Sequence, residues 1–384
     1  MQPGNDDAQA FFAARREELR QGDQWKLESK EERWRDKQPF LASRGYSLRP
    51  RFHPGWRPSW ELHQDPDPRD FEDYWPLPFR NNIIDATRDS DGLVVCIKRV
   101  QTGSSEIEIG RYFSSPSVRE DAHNHCIPIL DTFQDDTDPA ISYIVMPFLK
   151  KISQPPFEIV DEVLDFVEQV LEGLAFMHEH DVAHRDAAET NILMDARPLY
   201  PQGFHPAYPH RLPLPNWDKP STSYTRLSAP GPVRYYFSDF GMSTRFSPGG
   251  PRLVTGELGA ERDVPELSST TPYDPFKVDV FVLGKVFKDQ IHDKYFRVGF
   301  LGPLIAEMMQ RSPSDRPSAQ EALQQWRHIR ARMWLIQRAC RLRGRDESLV
   351  YAIIFDVLSF IKVIYMLTKR FTGWSLSWLG MLFT

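Results

Sequence analysis

The sequence predicts an α+β chain in which a small, mostly antiparallel sheet precedes a mainly helical region. Two observations carry that expectation. Four short runs rich in β-branched and apolar residues fall between residues 82 and 149, and the turn signal DSDG joins the first two. Directly after them, Val163, Leu164, Val167, Val170, Leu171, Leu174 and Met177 recur at helical spacing.

The elements follow in order. Residues 1–36 are polar, and 6–36 read as a helix capped by Asp6 or Asp7, with Phe11, Phe12, Leu19, Trp25 and Leu27 scattered among charges. So weak a stripe suits an exposed or docking helix. Residues 37–80 form an aromatic, arginine and proline arm without period, whose Phe52, Trp56 and Trp60 are expected to pack on a neighbouring domain, because disordered segments are poor in large aromatics. Residues 81–150 hold the strands NIIDATR and LVVCIKRV, the short helix SSEIEIGRYF, and the strands CIPILDTF and ISYIVMPFL. Residues 151–335 are the helical part. There the long helix runs into VAHRD, and ILMD pairs with VRYYFSD as a hairpin. The proline-rich insert 196–232 loops from its tip, barred from adding strands and read as a passive loop or a docking surface. Residues 336–384 are a basic, then hydrophobic tail.

At 384 residues the chain is longer than one small domain, and 41% hydrophobic residues suffice for a sizeable core. A net charge of −6 gives no electrostatic case for a nucleic-acid partner. Cys96, Cys126 and Cys340 are too scattered for a disulfide framework or a metal cluster, and the polar N-terminus is no secretory signal. A reducing, cytoplasmic setting fits best.

The chemistry-bearing residues occur in one consistent order. HRDAAETN (184–191) meets the spacing H-R-D-x-x-x-x-N between a helix and a short strand. Phosphoryl transfer needs phosphates held, metals placed and an acceptor hydroxyl oriented. A carboxylate at Asp186 suits the last task, and the amide oxygen of Asn191 is a hard ligand for magnesium. Asp239 heads DFG at a strand end, as a second magnesium ligand. Lys98 ends VVCIK, where it would reach the phosphates. Glu106 is its expected partner, with Glu108 the alternative.

With these residues in place, the chain resembles the eukaryotic protein kinase superfamily over roughly residues 80–330. More narrowly, LRPRFHPGW, DARPLYPQGFHP and PVRYYFSDFG resemble a kinase-like family expanded in mushroom-forming fungi. The resemblance implies a two-lobed protein kinase-like fold, with an antiparallel β N-lobe and a mainly helical C-lobe. It implies ATP and Mg2+ as cofactors and a protein substrate, with serine or threonine the default acceptor. Asp186 and Lys98 would be catalytic, Asn191 and Asp239 would hold the metal, and Lys98, Glu106, Met146 and Phe148 would line the nucleotide. VPE at 264–266 stands for the family's APE, Glu266 pairs with Arg316, and Asp279 steadies the catalytic loop. His184 is structural, and Arg185 binds a phosphate carried by Ser243, Thr244, Ser247 or Thr255.

Three departures keep a second class open, a pseudokinase or scaffold with little or no transfer. No G-x-G-x-x-G precedes Lys98, and Gly92 is the one glycine in 71–92. Ala188 and Thr190 bring no charge to the transferring phosphate, a loss worth on the order of a hundredfold in rate. The link from Lys98 to Glu106 is short, which puts Glu106 in the first turn of its helix.

The tail run 349–367 is long enough to span a bilayer. Asp356 and Lys362 oppose that at roughly 2.5–3.5 kcal/mol each, and about a dozen apolar residues return roughly 0.3–0.6 each, so the sum is near zero. The readings are a cytosol-facing membrane association, spanning or interfacial, and a helix packed on the core. Arg338, Arg341, Arg343 and Arg345 precede the run.

Overall fold

The computed structural model describes residues 26–63, 66–226 and 228–348, together with 350, 354–356, 358, 359 and 361. Residues 6–25 of the expected first helix, and most of the tail, lie outside the described residues. The chain divides into two compact units. The first holds residues up to Ile107, Pro128–Leu149 and Arg197–Tyr224; the second holds Glu108–Ile127, Lys150–Ala196 and the residues from Thr225 onward.

The first unit is built on an antiparallel five-stranded sheet of order β1-β2-β3-β5-β4. Its strands are β1 (Tyr46–Ser47), β2 (Ile83–Arg88), β3 (Val94–Gln101), β4 (Asp131–Gln134) and β5 (Ile141–Pro147). The β2–β3 register sets Ile84 opposite Ile97 and Ala86 opposite Val95, and all four are buried on one face, as the two-residue period requires. Trp34 and Leu41 of α1 (Ser29–Ser43) share that core with Tyr46, Phe52, Phe133 and Tyr143. The expected boundary at residue 36 therefore falls inside a helix. Its weak apolar stripe is supplemented by a buried ion pair: Glu31 accepts Nε and Nη2 of Arg51, both at 3.0 Å, and the Leu77 N–H at 2.9 Å.

The arm runs in loops and short 3-10 turns. Phe52 and Trp60 are fully buried, and Phe52 packs, as expected, into the core built on β2, β3 and β5, all within this one unit. Asp73 anchors it, accepting Trp56 Nε1 at 2.9 Å and the Ser59 hydroxyl at 2.5 Å. The insert behaves differently from the sequence expectation, which places it with the helical part. Residues Arg197–Tyr224 belong to the first unit. Its prolines keep it out of the sheet, but its aromatics supply the packing. His205 Nε2 donates to Glu72 at 2.8 Å, Trp217 Nε1 donates to the Asp70 carbonyl at 2.7 Å, and Tyr208 stacks on Trp75 with centroids 4.0 Å apart.

The second unit is mainly helical. It takes the C-terminal part of α2 (Ser105–Phe113), then α3 (Pro116–Arg119), β6 (Lys150–Lys151), α4 (Val160–Glu179), β7 (Val182–Ala183), β8 (Ile192–Asp195), β9 (Arg234–Phe237), β10 (Thr244–Arg245), β11 (Val254–Gly256), β12 (Ser268–Tyr273), α5 (Pro275–Phe287), α6 (Gly302–Met308), α7 (Ala319–Ala331) and α8 (Leu335–Arg338). Every apolar position predicted for α4 is buried. The β8–β9 hairpin forms as expected, with Ile192 opposite Phe237, and β6 adds a third strand to it. Gly173 lets α4 approach β9: a Cβ there would lie 2.6 Å from the His125 Cβ and 3.1 Å from the Phe237 ring.

Glu162, in the first turn of α4, is buried, and burial pushes its carboxyl up to about 7. Its ordinary value is 4.5, so the fold prefers the protonated form. That stability is complete below about 4.5 and is lost as pH rises through 7. Glu162→Gln is therefore expected to melt above the parent at pH 8, with the gap closing by about pH 4. Thermal scans across that range check it, and a gap independent of pH would contradict it.

Candidate active site

Within the first unit, Lys98 lies on β3 opposite Ile83 and Ile144. Its ammonium meets Glu106 Oε1 at 2.5 Å, and both side chains are buried. The short link works because the chain turns at once. Gly103 takes φ +72°, the Ile107 N–H closes on the Ser104 carbonyl at 3.1 Å, and α2 begins at Ser105, so Glu106 sits in its first turn. Glu108, the alternative, is exposed. Met146 lies on β5 opposite Cys96. Phe148 is half-buried with its ring among Phe79 and Phe204, at 5.7 and 6.0 Å.

The other predicted residues belong to the second unit. After β7 the chain passes through Arg185 in the left-handed region, φ +67°. The carboxylate of Asp279, on α5 and fully buried, holds that turn. It accepts the His184 N–H at 2.7 Å, the Arg185 N–H at 2.6 Å and His178 Nε2 at 3.1 Å. Burial depresses the His184 pKa, keeping the ring neutral. A neutral ring suits its bonds: Nδ1 accepts the Asp186 N–H at 3.3 Å, and Nε2 donates to the Ser238 carbonyl at 3.1 Å.

Both oxygens of Asp186 are engaged. Asn191 Nδ2 donates to Oδ2 at 2.7 Å and to the Asp186 carbonyl at 2.9 Å. The Ala260 N–H donates to Oδ1 at 2.7 Å. Gly259 makes that approach with φ +144°, a conformation that disfavours any side chain. Asn191 in turn is tied to the DFG segment, since the Ser238 N–H and hydroxyl both donate to its carbonyl, at 2.8 and 3.1 Å. Asp239 follows in the left-handed region, φ +63°, and accepts the Gly241 N–H at 3.3 Å. Phe240 is buried between Phe113 and His184, at 5.9 and 5.5 Å. Asp186, Asn191 and Asp239 are thus gathered on one braced set of loops.

Arg185 reaches two of the four segment residues expected for it, the Thr244 hydroxyl at 3.3 Å and the Thr255 carbonyl at 3.1 Å. Ser243 is buried and donates to the His184 carbonyl at 3.0 Å. Arg316 forks onto Glu266 at 2.5 and 2.8 Å. Ala188 is buried and Thr190 exposed, so neither adds a cation. Two features escape the sequence: the Ala260 N–H, a backbone donor that no residue type signals, and the third donor to Asp279, His178.

Among the described residues, no group of three or more His, Cys, Asp and Glu side chains is placed to hold a metal ion. No protein-family model matches the chain, and no curated protein is similar to it in sequence.

Proposed function

We propose that the chain is an ATP- and magnesium-dependent protein kinase of the two-lobed kinase-like fold. The observation that carries this reading is the braced loop set: Asp186 bonded to Asn191, Asn191 bonded to the residue before Asp239, and the whole turn hung on Asp279. In this reading Asp186 aims the acceptor hydroxyl and takes its proton. Asn191 turns its NH2 group to Asp186, which directs its carbonyl oxygen elsewhere. That oxygen and the Asp239 carboxylate are the hard donors magnesium takes alongside substrate phosphates. Bound magnesium would neutralise charge on the transferring phosphoryl group. Lys98, on the third strand of its sheet as the phosphate-holding lysine of kinases is, would hold the α- and β-phosphates. Phe240, buried against His184, supports the active arrangement of the DFG segment. The substrate is a protein presenting serine or threonine by default.

A binding module of the same fold is the second reading, and two observations favour it. The Ala260 N–H occupies Asp186 Oδ1. Ahead of β3, residues 89–92 make a tight turn clamped by the Arg88–Asp91 pair at 2.6 Å, where no flexible glycine cover is available. Incubating the full chain with ATP and magnesium and weighing it intact separates the readings: added phosphate supports the kinase, and nucleotide binding without it supports the module.

Lys98→Arg probes the same reading. Arginine keeps the charge beside Glu106, so the melting midpoint is expected to shift by only a few degrees. Its planar fork misplaces the charge, and transfer is expected to fall about a hundredfold. Unchanged transfer would remove Lys98 from the site.

A further inference from the structure

We propose that residues 330–348, together with the described tail residues 350, 354–356, 358, 359 and 361, form a peripheral docking surface for an anionic lipid bilayer. The stretch 330–345 carries six arginines and no aspartate or glutamate. Arg330, Arg338 and Arg341 are paired with Glu168, Asp161 and Glu347, and Arg332, Arg343 and Arg345 make no ion pair among the described residues. In its middle, Trp334, Leu335 and Ile336 stand in solvent, 76%, 81% and 76% exposed. Three consecutive large apolar side chains left out of the core need another apolar phase.

The described tail residues continue the same surface. Val350, Ile354, Leu358 and Ile361 are exposed large hydrophobics at helical spacing, with Phe355 beside them. Asp356, the charge that argues against burial in lipid, is drawn the other way. Its carboxylate accepts Arg341 Nε at 2.8 Å and Arg297 Nη2 at 3.2 Å. Those ion pairs fasten the polar side of the segment to the protein and leave its apolar side outward. Phe296, next in sequence to Arg297 and 40% exposed, lies under the guanidiniums of Arg343 and Arg345, at 5.3 and 5.0 Å. Arg297, the partner of Asp356, lines one cavity together with Arg332 and Cys340.

Charge selects the occupant. A second copy would bring the same arginines face to face, whereas a bilayer rich in anionic headgroups offers both countercharge and an apolar interior. The proposed geometry is interfacial because Asp356 stays tied to Arg341 and Arg297 at the protein surface. Among the described residues, no helix is long and apolar enough to cross a membrane. The remaining chain, 362–384, continues with Trp374, Trp378 and further apolar residues, of the kinds enriched at membrane interfaces.

The full chain should float with vesicles of phosphatidylcholine and phosphatidylserine, not with phosphatidylcholine alone, and alkaline carbonate should release it. Trp334→Ser, Leu335→Ser and Ile336→Ser together should weaken binding roughly tenfold or more. Arg332→Glu with Arg345→Glu should do at least as much, at about fivefold per charge removed. All five side chains are solvent-exposed, so folding is not at stake. Equal binding to neutral vesicles, binding that neither variant weakens, resistance to carbonate, or self-association of the chain in place of vesicle binding would each overturn the proposal.

Discussion

Asp279→Ala is expected to lower the unfolding free energy by about 3–5 kcal/mol, the range for breaking a buried charged network. The carboxylate is fully buried and accepts three donors. Removing it orphans the N–H groups of His184 and Arg185, at about 1–3 kcal/mol for each buried donor left unpaired. It also releases the left-handed turn at Arg185, which a non-glycine residue adopts only when held. Asp279→Asn should fall between parent and alanine, because its amide oxygen still accepts while its NH2 confronts a donor. Urea unfolding of the three proteins checks the order. A loss under about 1 kcal/mol for alanine would mean that the loop is held by its strand pairing through β7 and β10, and not by this carboxylate.

What was legible in the sequence follows from what side-chain pattern encodes. The period of α4 and the alternation in β2 and β3 are properties of residue type, and both stand where expected. Two side-chain pairs were legible too, Lys98 with Glu106 and Arg316 with Glu266, whereas the bond from Asn191 to Asp186 was not, because the spacing assigns Asn191 to metal. Strand β1 was not, because two residues carry no period and pair only once residues 48–82 have folded back. The reach of α1 was hidden for another reason. Its anchor, Glu31, reads as a surface charge until Arg51 arrives from the arm to bury it. The insert misled in the same way. Proline forecasts a loop correctly, but its attachment depends on His205 meeting Glu72 and Trp217 meeting the Asp70 backbone, partners 133 and 147 residues away in sequence. The strands β11 and β12 lie in a segment of polar and small residues, where no hydrophobic face announces pairing.

Asp186→Asn is expected to reduce phosphate incorporation by about 100- to 10,000-fold, the usual worth of a positioned general base, while leaving ATP binding nearly intact. The substitution is close in shape but not in hydrogen bonding. Asp186 accepts Asn191 on one oxygen and the Ala260 N–H on the other. An amide keeps one acceptor, so one of these contacts becomes donor against donor, and the fold should lose only about 1 kcal/mol. The Ala260 contact also separates two ways of failing. If that N–H holds Asp186 merely in its resting position, the parent transfers phosphate and the variant does not. If it holds the carboxylate permanently, parent and variant bind ATP alike and neither gains mass. The second outcome leaves a scaffold that keeps Asp186 because its oxygens brace Asn191 and the Gly259–Ala260 turn. Asp186→Ala, which removes both bonds, should then cost stability without any change in chemistry, whereas in a working kinase it should cost both.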